Sequence, residues 1–103
     1  GMNETEARKA GRKALVGTMP MKSVNRATEY GQTTGLMKVL VDADNEQILG
    51  ATLFGLTADE VIHGIIDLMN AKAPYTAIRD EVPIHPTVSE LLPTLLEDLQ
   101  PVE

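Results

Sequence analysis

Apolar and polar positions follow their most regular pattern between residues 36 and 54. Two runs rich in β-branched and aliphatic residues, LMKVLVD and QILGATLF, flank the polar stretch DADNEQ. Asp and Asn hydrogen-bond their own backbone in turns, so this pattern predicts an antiparallel hairpin over 36–42 and 47–54. Gly50 and Gly55 interrupt the second strand, which marks a bulge or a close backbone approach. A phosphate loop needs a Gly-rich turn opening a helix, and the sequence here lacks that pattern.

The period changes at residue 57. TADEVIHGIIDLMNAKA, 57–73, sets Val61, Ile62, Ile65, Ile66, Leu68 and Met69 at helical spacing behind a capping box of Thr57 and Glu60. This is the main amphipathic helix. His63 falls off its apolar stripe, has no partner at metal-ligand spacing and reads as a surface residue. NETEARKAG predicts a short helix over 3–10, capped by Asn3 with Glu6 as the reciprocal partner and stopped by Gly11.

ALVGTMPM, 14–21, contains Gly17 and Pro20, so it is read as an edge strand or a bulged one. KSVNRATEYGQTTG, 22–35, is polar without helical periodicity and is read as a loop or irregular strand. After Pro74, YTAIRDE predicts a short helix. PTVSELLPTLLEDL, 86–99, predicts another, with a capping box of Thr87 and Glu90 and a kink or division at Pro93. The whole string is an α+β arrangement, an antiparallel sheet flanked by helices.

At 103 residues the chain is one small domain, too short for a cofactor domain beside a substrate domain. The net charge is −6, with six Lys or Arg against three acids in residues 1–30 and three against twelve in the remainder. An acidic body argues against nucleic acid as a partner, and the basic cluster Arg8, Lys9, Arg12 and Lys13 is read as a solvated helix face. No apolar run approaches the ~20 residues that span a bilayer, and no secretion signal is evident, so neither membrane nor export is expected and the location expected is cytoplasmic. The absence of cysteine excludes a disulfide framework, a thiolate metal site or a thiol nucleophile supplied by these residues. No metal site is expected.

VPIHPTVSELL, 82–92, carries the chemistry. Pro86 disfavours α geometry at His85, which must therefore sit on the approach to the following helix. Glu90 lies within reach of the imidazole and could fix its tautomer, which would make His85 a positioned acid/base. Spacing alone also allows Glu90 to be only the capping partner of Thr87, and His85 only a polar residue at a turn.

IHPTVSELL resembles the His-Pro-Thr-x-x-Glu signature near the C-terminus of the pyridine nucleotide-disulfide oxidoreductases, the class I flavoproteins that include glutathione reductase, dihydrolipoamide dehydrogenase and mercuric reductase. GMNETEARKAG is similar to the Gly-x-Thr-Glu-x-x-Ala helix that opens their dimerisation domain. GLMKVLVDADNEQILGATLFGLTADEVIH is similar to its Gly-x-x-Lys, hairpin, Gly, helix centre. These segments stand in the family's order and cover nearly the whole chain.

The resemblance implies an oxidoreductase interface domain that builds a two-fold homodimer. FAD and NAD(P)H would be bound by domains absent from these 103 residues, so no cofactor-binding residue is expected here. It further implies that His85 is the acid/base serving the partner subunit's redox dithiol, with Glu90 as its hydrogen-bond partner. Because Gly1 falls inside a family motif, the chain is expected to be part of a longer flavoprotein and to be inactive alone.

LLPTLLEDL carries more leucine than a lone terminal helix can bury, which is read as a second sign of self-association. The tail LEDLQPVE lacks the cysteine pair of mercuric reductase, so mercury reduction of that type is disfavoured. The alternative is a stand-alone, non-enzymatic dimerisation or small-ligand-binding module of the same fold. A His/Glu hydrolase would need Ser89 to turn away from its helix to serve as nucleophile.

Overall fold

A computed structural model describes residues 1–102. The hairpin forms where the pattern places it, as β2 (Leu36–Asp42) and β3 (Ile48–Phe54). Its turn is built by side chains: Asp42 Oδ1 accepts from the amides of Asp44 and Asn45 at 2.8 and 3.1 Å, and Asn45 Oδ1 accepts from the amide of Gln47 at 2.9 Å. The register slips between Leu40 and Val41, which pair with Gly50 and Ile48, leaving Leu49 as the extra residue of a bulge.

Ahead of the hairpin lie α1 (Glu4–Lys9) and β1 (Ala14–Pro20). Asn3 caps α1, accepting from the amide of Glu6 at 2.8 Å. β1 pairs antiparallel with β2 along its full length without a bulge. It is not simply an edge strand, because a short β4 (Gln100–Pro101) in the tail pairs with Leu15 and Val16, giving the sheet order β3-β2-β1-β4. Pro20, which has no amide proton to give, falls at the strand's end beyond β4.

Strand alternation turns Met37, Val39 and Val41 to the core, under α3 (Ala58–Ala71) and α5 (Leu92–Glu97). The opposite face carries Leu36, Lys38 and Leu40. There α1 covers one end, where Ala7 packs with Ala14 and Leu40, and Lys38 Nζ meets Glu4 Oε1 at 2.7 Å.

Several expectations are corrected. Residues 22–35 are not all loop: Asn25–Glu29 form α2, because Val24 and Ala27, although only two apolar residues, are completely buried against the core and hold the turn of helix there. Thr57 does not cap α3; it adopts a left-handed backbone, φ 54, and its hydroxyl donates to the carbonyl of Leu56. Ile66 is 39% exposed, so the buried stripe of α3 is narrower than its sequence suggests.

The predicted helix over 86–99 is shorter and divided at the point that Pro93 dictates. A 3₁₀ turn, Ser89–Leu91, precedes α5, and Pro93 takes its second position, where an amide has no intrahelical acceptor. Leu92, Leu95 and Leu96 are all buried in the chain's own core, so the leucine content of this segment is not an interface signal. The short helix after Pro74 is α4 (Thr76–Arg79), and His63 is exposed, as expected. No helix among the described residues is long and apolar enough to cross a membrane.

Candidate functional site

Ile78, at the end of α4, and Val88, just before the 3₁₀ turn, are both buried. Between these anchors the chain leaves the core. Pro83 and Pro86 offer no amide protons, so the segment cannot complete a strand ladder, and residues 81–84 have no regular secondary structure. Val82 and Ile84 are 95% and 78% exposed. His85 stands on this projecting loop, followed by a cis peptide to Pro86.

The two residues singled out from the sequence meet. His85 Nδ1 is 2.7 Å from Glu90 Oε2, with the imidazole 63% exposed and the carboxylate side chain only 12%. With Glu90 ionised, Nδ1 carries the proton and donates it to the carboxylate, leaving the lone pair of Nε2 as the basic site. Among the described residues no protein group bonds Nε2. Glu90 sits in the 3₁₀ turn rather than inside a helix, and Thr87 is not a capping residue. Its hydroxyl donates to the carbonyl of Ile84 at 2.9 Å, closing a bridge across the histidine.

One participant was invisible in the sequence. Arg26, on α2, donates from Nη2 to the carbonyl of Pro86, sixty positions away. No local pattern announces a contact of that span. Among the described residues there is no cluster of three or more His, Asp or Glu placed to hold a metal ion. Of the basic N-terminal cluster, Arg12 pairs with Asp42 at 2.8 Å, while Arg8, Lys9 and Lys13 are exposed.

Residues 1–96 match the family described as pyridine nucleotide-disulphide oxidoreductase, dimerisation domain. The chain belongs to this family. It is similar to the probable pyridine nucleotide-disulfide oxidoreductase RclA of Escherichia coli, 36% identical over 89% of this chain and 21% of that protein. It is likewise 36% identical to dihydrolipoyl dehydrogenase 2 of Haloarcula marismortui, over 87% of this chain and 19% of that one.

The solved structure of the HOCl-induced flavoprotein disulfide reductase RclA from Escherichia coli superposes with a TM-score of 0.90 at 35% identity, covering 94% of this chain and 22% of that one. LpdA of Mycobacterium tuberculosis, at 14% identity and a TM-score of 0.85 over 94% of this chain and 21% of its own, shares the fold. The chain thus spans about a fifth of the length of the relatives it matches. The α+β interface-domain architecture expected from the sequence is the one these relatives carry.

Proposed function

We propose that this domain works within a longer, homodimeric FAD- and NAD(P)H-dependent disulfide oxidoreductase, where His85 and Glu90 form the acid/base pair for a redox dithiol on the partner subunit. The observation that carries the reading is the 2.7 Å bond between Nδ1 and the carboxylate, which orients an exposed imidazole whose other nitrogen has no protein partner among the described residues.

The turn between β3 and α3 does not fit a dinucleotide. The glycine nearest to a strand–helix turn, Gly55, is occupied by protein: a Cβ there would lie 2.9 Å from both Met21 Cγ and the carbonyl of Thr34. Such a turn cannot cradle a pyrophosphate, which requires open amides at a helix start. FAD and nicotinamide are therefore assigned to other domains, and the chemistry of this chain reduces to one proton.

Nε2 accepts that proton from a cysteine thiol of the reduced dithiol. The resulting thiolate attacks one sulfur of the disulfide substrate, forming a mixed disulfide and expelling the other sulfur as a thiolate. The imidazolium returns its proton to that leaving thiolate. Attack by the second cysteine closes the enzyme disulfide and releases the remaining thiolate, which takes up the second cysteine's proton. Glu90 stabilises the imidazolium while it exists and keeps the ring in one tautomer.

His85→Ala in the flavoprotein that bears this domain tests the reading. Reduction of bound flavin by NAD(P)H is expected to stay near wild type, since no residue of this domain assists it, while turnover with the disulfide substrate falls ~10²- to 10⁴-fold. Equal slowing of both half-reactions, or of neither, would return His85 to the status of a turn residue.

A further inference from the structure

The guanidinium of Arg26 is held on several sides. It lies 5.5 Å over the ring of Tyr30 and its Nη1 is 3.4 Å from the Tyr30 hydroxyl, while its Nε is 3.4 Å from the Glu29 carboxylate and, among the described residues, makes no hydrogen bond. Its mount is firm as well, because the fully buried Val24 and Ala27 lock α2 into the core. From that mount Nη2 reaches the carbonyl of Pro86, the residue that follows His85.

The loop has few other supports. Residues 81–84 join no strand, and prolines at 83 and 86 donate no hydrogen bonds. Around the histidine three hydrogen bonds remain among the described residues: Thr87 to the Ile84 carbonyl, Glu90 to the ring, and Arg26 to the Pro86 carbonyl. The first lies within the loop and moves with it, and the second joins the ring to the adjoining 3₁₀ turn, five residues away. Among the hydrogen bonds of the described residues around the histidine, that of Arg26 is the one that ties this stretch to an element distant in sequence.

We infer that Arg26 is a positioning residue for His85, fixing through the Pro86 carbonyl where the imidazole stands relative to the reacting sulfur. This inference rests on the acid/base role proposed above. A planar guanidinium, stacked on an aromatic ring while it donates, is pre-organised for this task in a way that a flexible ammonium is not. Arg26→Lys should therefore retain part of the effect and Arg26→Met none.

Two measurements separate this inference from the reading beneath it. In the 103-residue chain, Arg26→Met should leave the amide resonances of Val39 and Ile65 in place while shifting or broadening those of the residues with amide protons among 84–88, namely Ile84, His85, Thr87 and Val88. Unchanged resonances at 84–88 would overturn the inference whatever the role of His85. In the flavoprotein, Arg26→Met should lower kcat with the disulfide substrate roughly 10- to 100-fold, the scale of a misplaced catalytic group. KM and flavin reduction by NAD(P)H should stay within twofold, about the factor that ~0.4 kcal/mol makes.

Millimolar guanidinium should restore part of kcat to Arg26→Ala and none to wild type. If His85→Ala is slow and Arg26→Met is not, the inference fails and the acid/base reading stands. If His85→Ala is itself unaffected, the acid/base reading fails, and the positioning inference fails with it.

Discussion

The Nδ1 of His85 lies 2.7 Å from Oε2 of Glu90, joining an imidazole on a projecting loop to a carboxylate embedded in the 3₁₀ turn behind it. The unequal exposure of the two partners is consistent with the proposed division of tasks, in which the buried member fixes orientation and the exposed member meets what lies outside the fold. Glu90 Oε1 is also buried and makes no hydrogen bond among the described residues. An amide NH₂ at that spot would be similarly unpaired, so Glu90→Gln preserves shape and one acceptor while removing the charge.

From this follows a graded series in the flavoprotein. Glu90→Gln is expected to slow disulfide turnover by less than the ~10²-fold lower bound set for His85→Ala, because the ring keeps its tautomer and loses only carboxylate stabilisation of the imidazolium. Glu90→Ala should be slower than Glu90→Gln, since the ring loses its orientation as well. Steady-state kinetics at saturating substrate ranks the three. Glu90→Ala as fast as Glu90→Gln would mean that orientation through Glu90 contributes nothing.

Asp42 gives the domain an acid-sensitive joint. The amide of Asn45, the guanidinium of Arg12 and the amide of Asp44 all hold its carboxyl below the usual carboxylate range, against the opposing effect of burial. A depressed native pKa means that the unfolded state binds the proton more readily. The stabilisation is therefore complete above the unfolded value of ~4 and is lost as pH falls through the lower native value. Asp42→Ala should cost about 1–3 kcal/mol at pH 7. It should also flatten the decline in stability between pH 5 and 3, relative to wild type. Urea denaturation at the two pH values measures both effects.

A methyl group is enough to challenge the packing of α1. A Cβ on Gly50 would fall 2.1 Å from the carbonyl oxygen of Met2, where the chain's start lies against β3 through the bond from the Met2 amide to the Leu49 carbonyl, 2.9 Å. Gly50→Ala is expected to lift residues 1–3 off the sheet, loosen the Lys38–Glu4 pair and destabilise by ~1–3 kcal/mol. Hydrogen exchange should quicken at Met2 and in α1 while β1 stays protected. Uniform quickening across the sheet would show that the strain is not local.

Legibility varied along the chain for physical reasons. The hairpin could be read because its signals are local: period-two burial on both sides of a turn whose Asp and Asn residues bond their own neighbours. The same holds for Asn3 and for the His85–Glu90 pair, whose partners are five residues apart or fewer. The helix at 25–29 escaped because Val24 and Ala27, two apolar residues at one helical spacing, leave too brief a trace for periodicity to register. Thr57 misled because Thr-x-x-Glu describes a capping box only when the first residue is extended, and the glycine turn before it puts Thr57 in the left-handed region. Arg26 and β4 depend on tertiary contacts across sixty residues and across eighty-four to eighty-six, which no window along the sequence contains.

The apolar residues placed to mediate the proposed self-association lie on the histidine loop and not in the leucine run. The leucines of 91–99 looked surplus to a terminal helix, yet Leu92, Leu95 and Leu96 are spent inside the core. Val82 and Ile84, which carry far less apolar surface in total, are 95% and 78% exposed beside His85. A homodimer that presents His85 to its partner must bring this loop against the partner too, and two unshielded β-branched side chains gain from burial there. Replacing both Val82 and Ile84 by Ser should weaken self-association at least tenfold, equivalent to ~1.4 kcal/mol, without lowering the melting temperature of the monomer. Leu95→Ala should do the reverse in kind, removing about 2–5 kcal/mol of folding stability from the core. Sedimentation equilibrium and thermal melts on both variants decide the matter, and an unchanged dimer constant in the Val82/Ile84 double variant would exclude the loop from the contact.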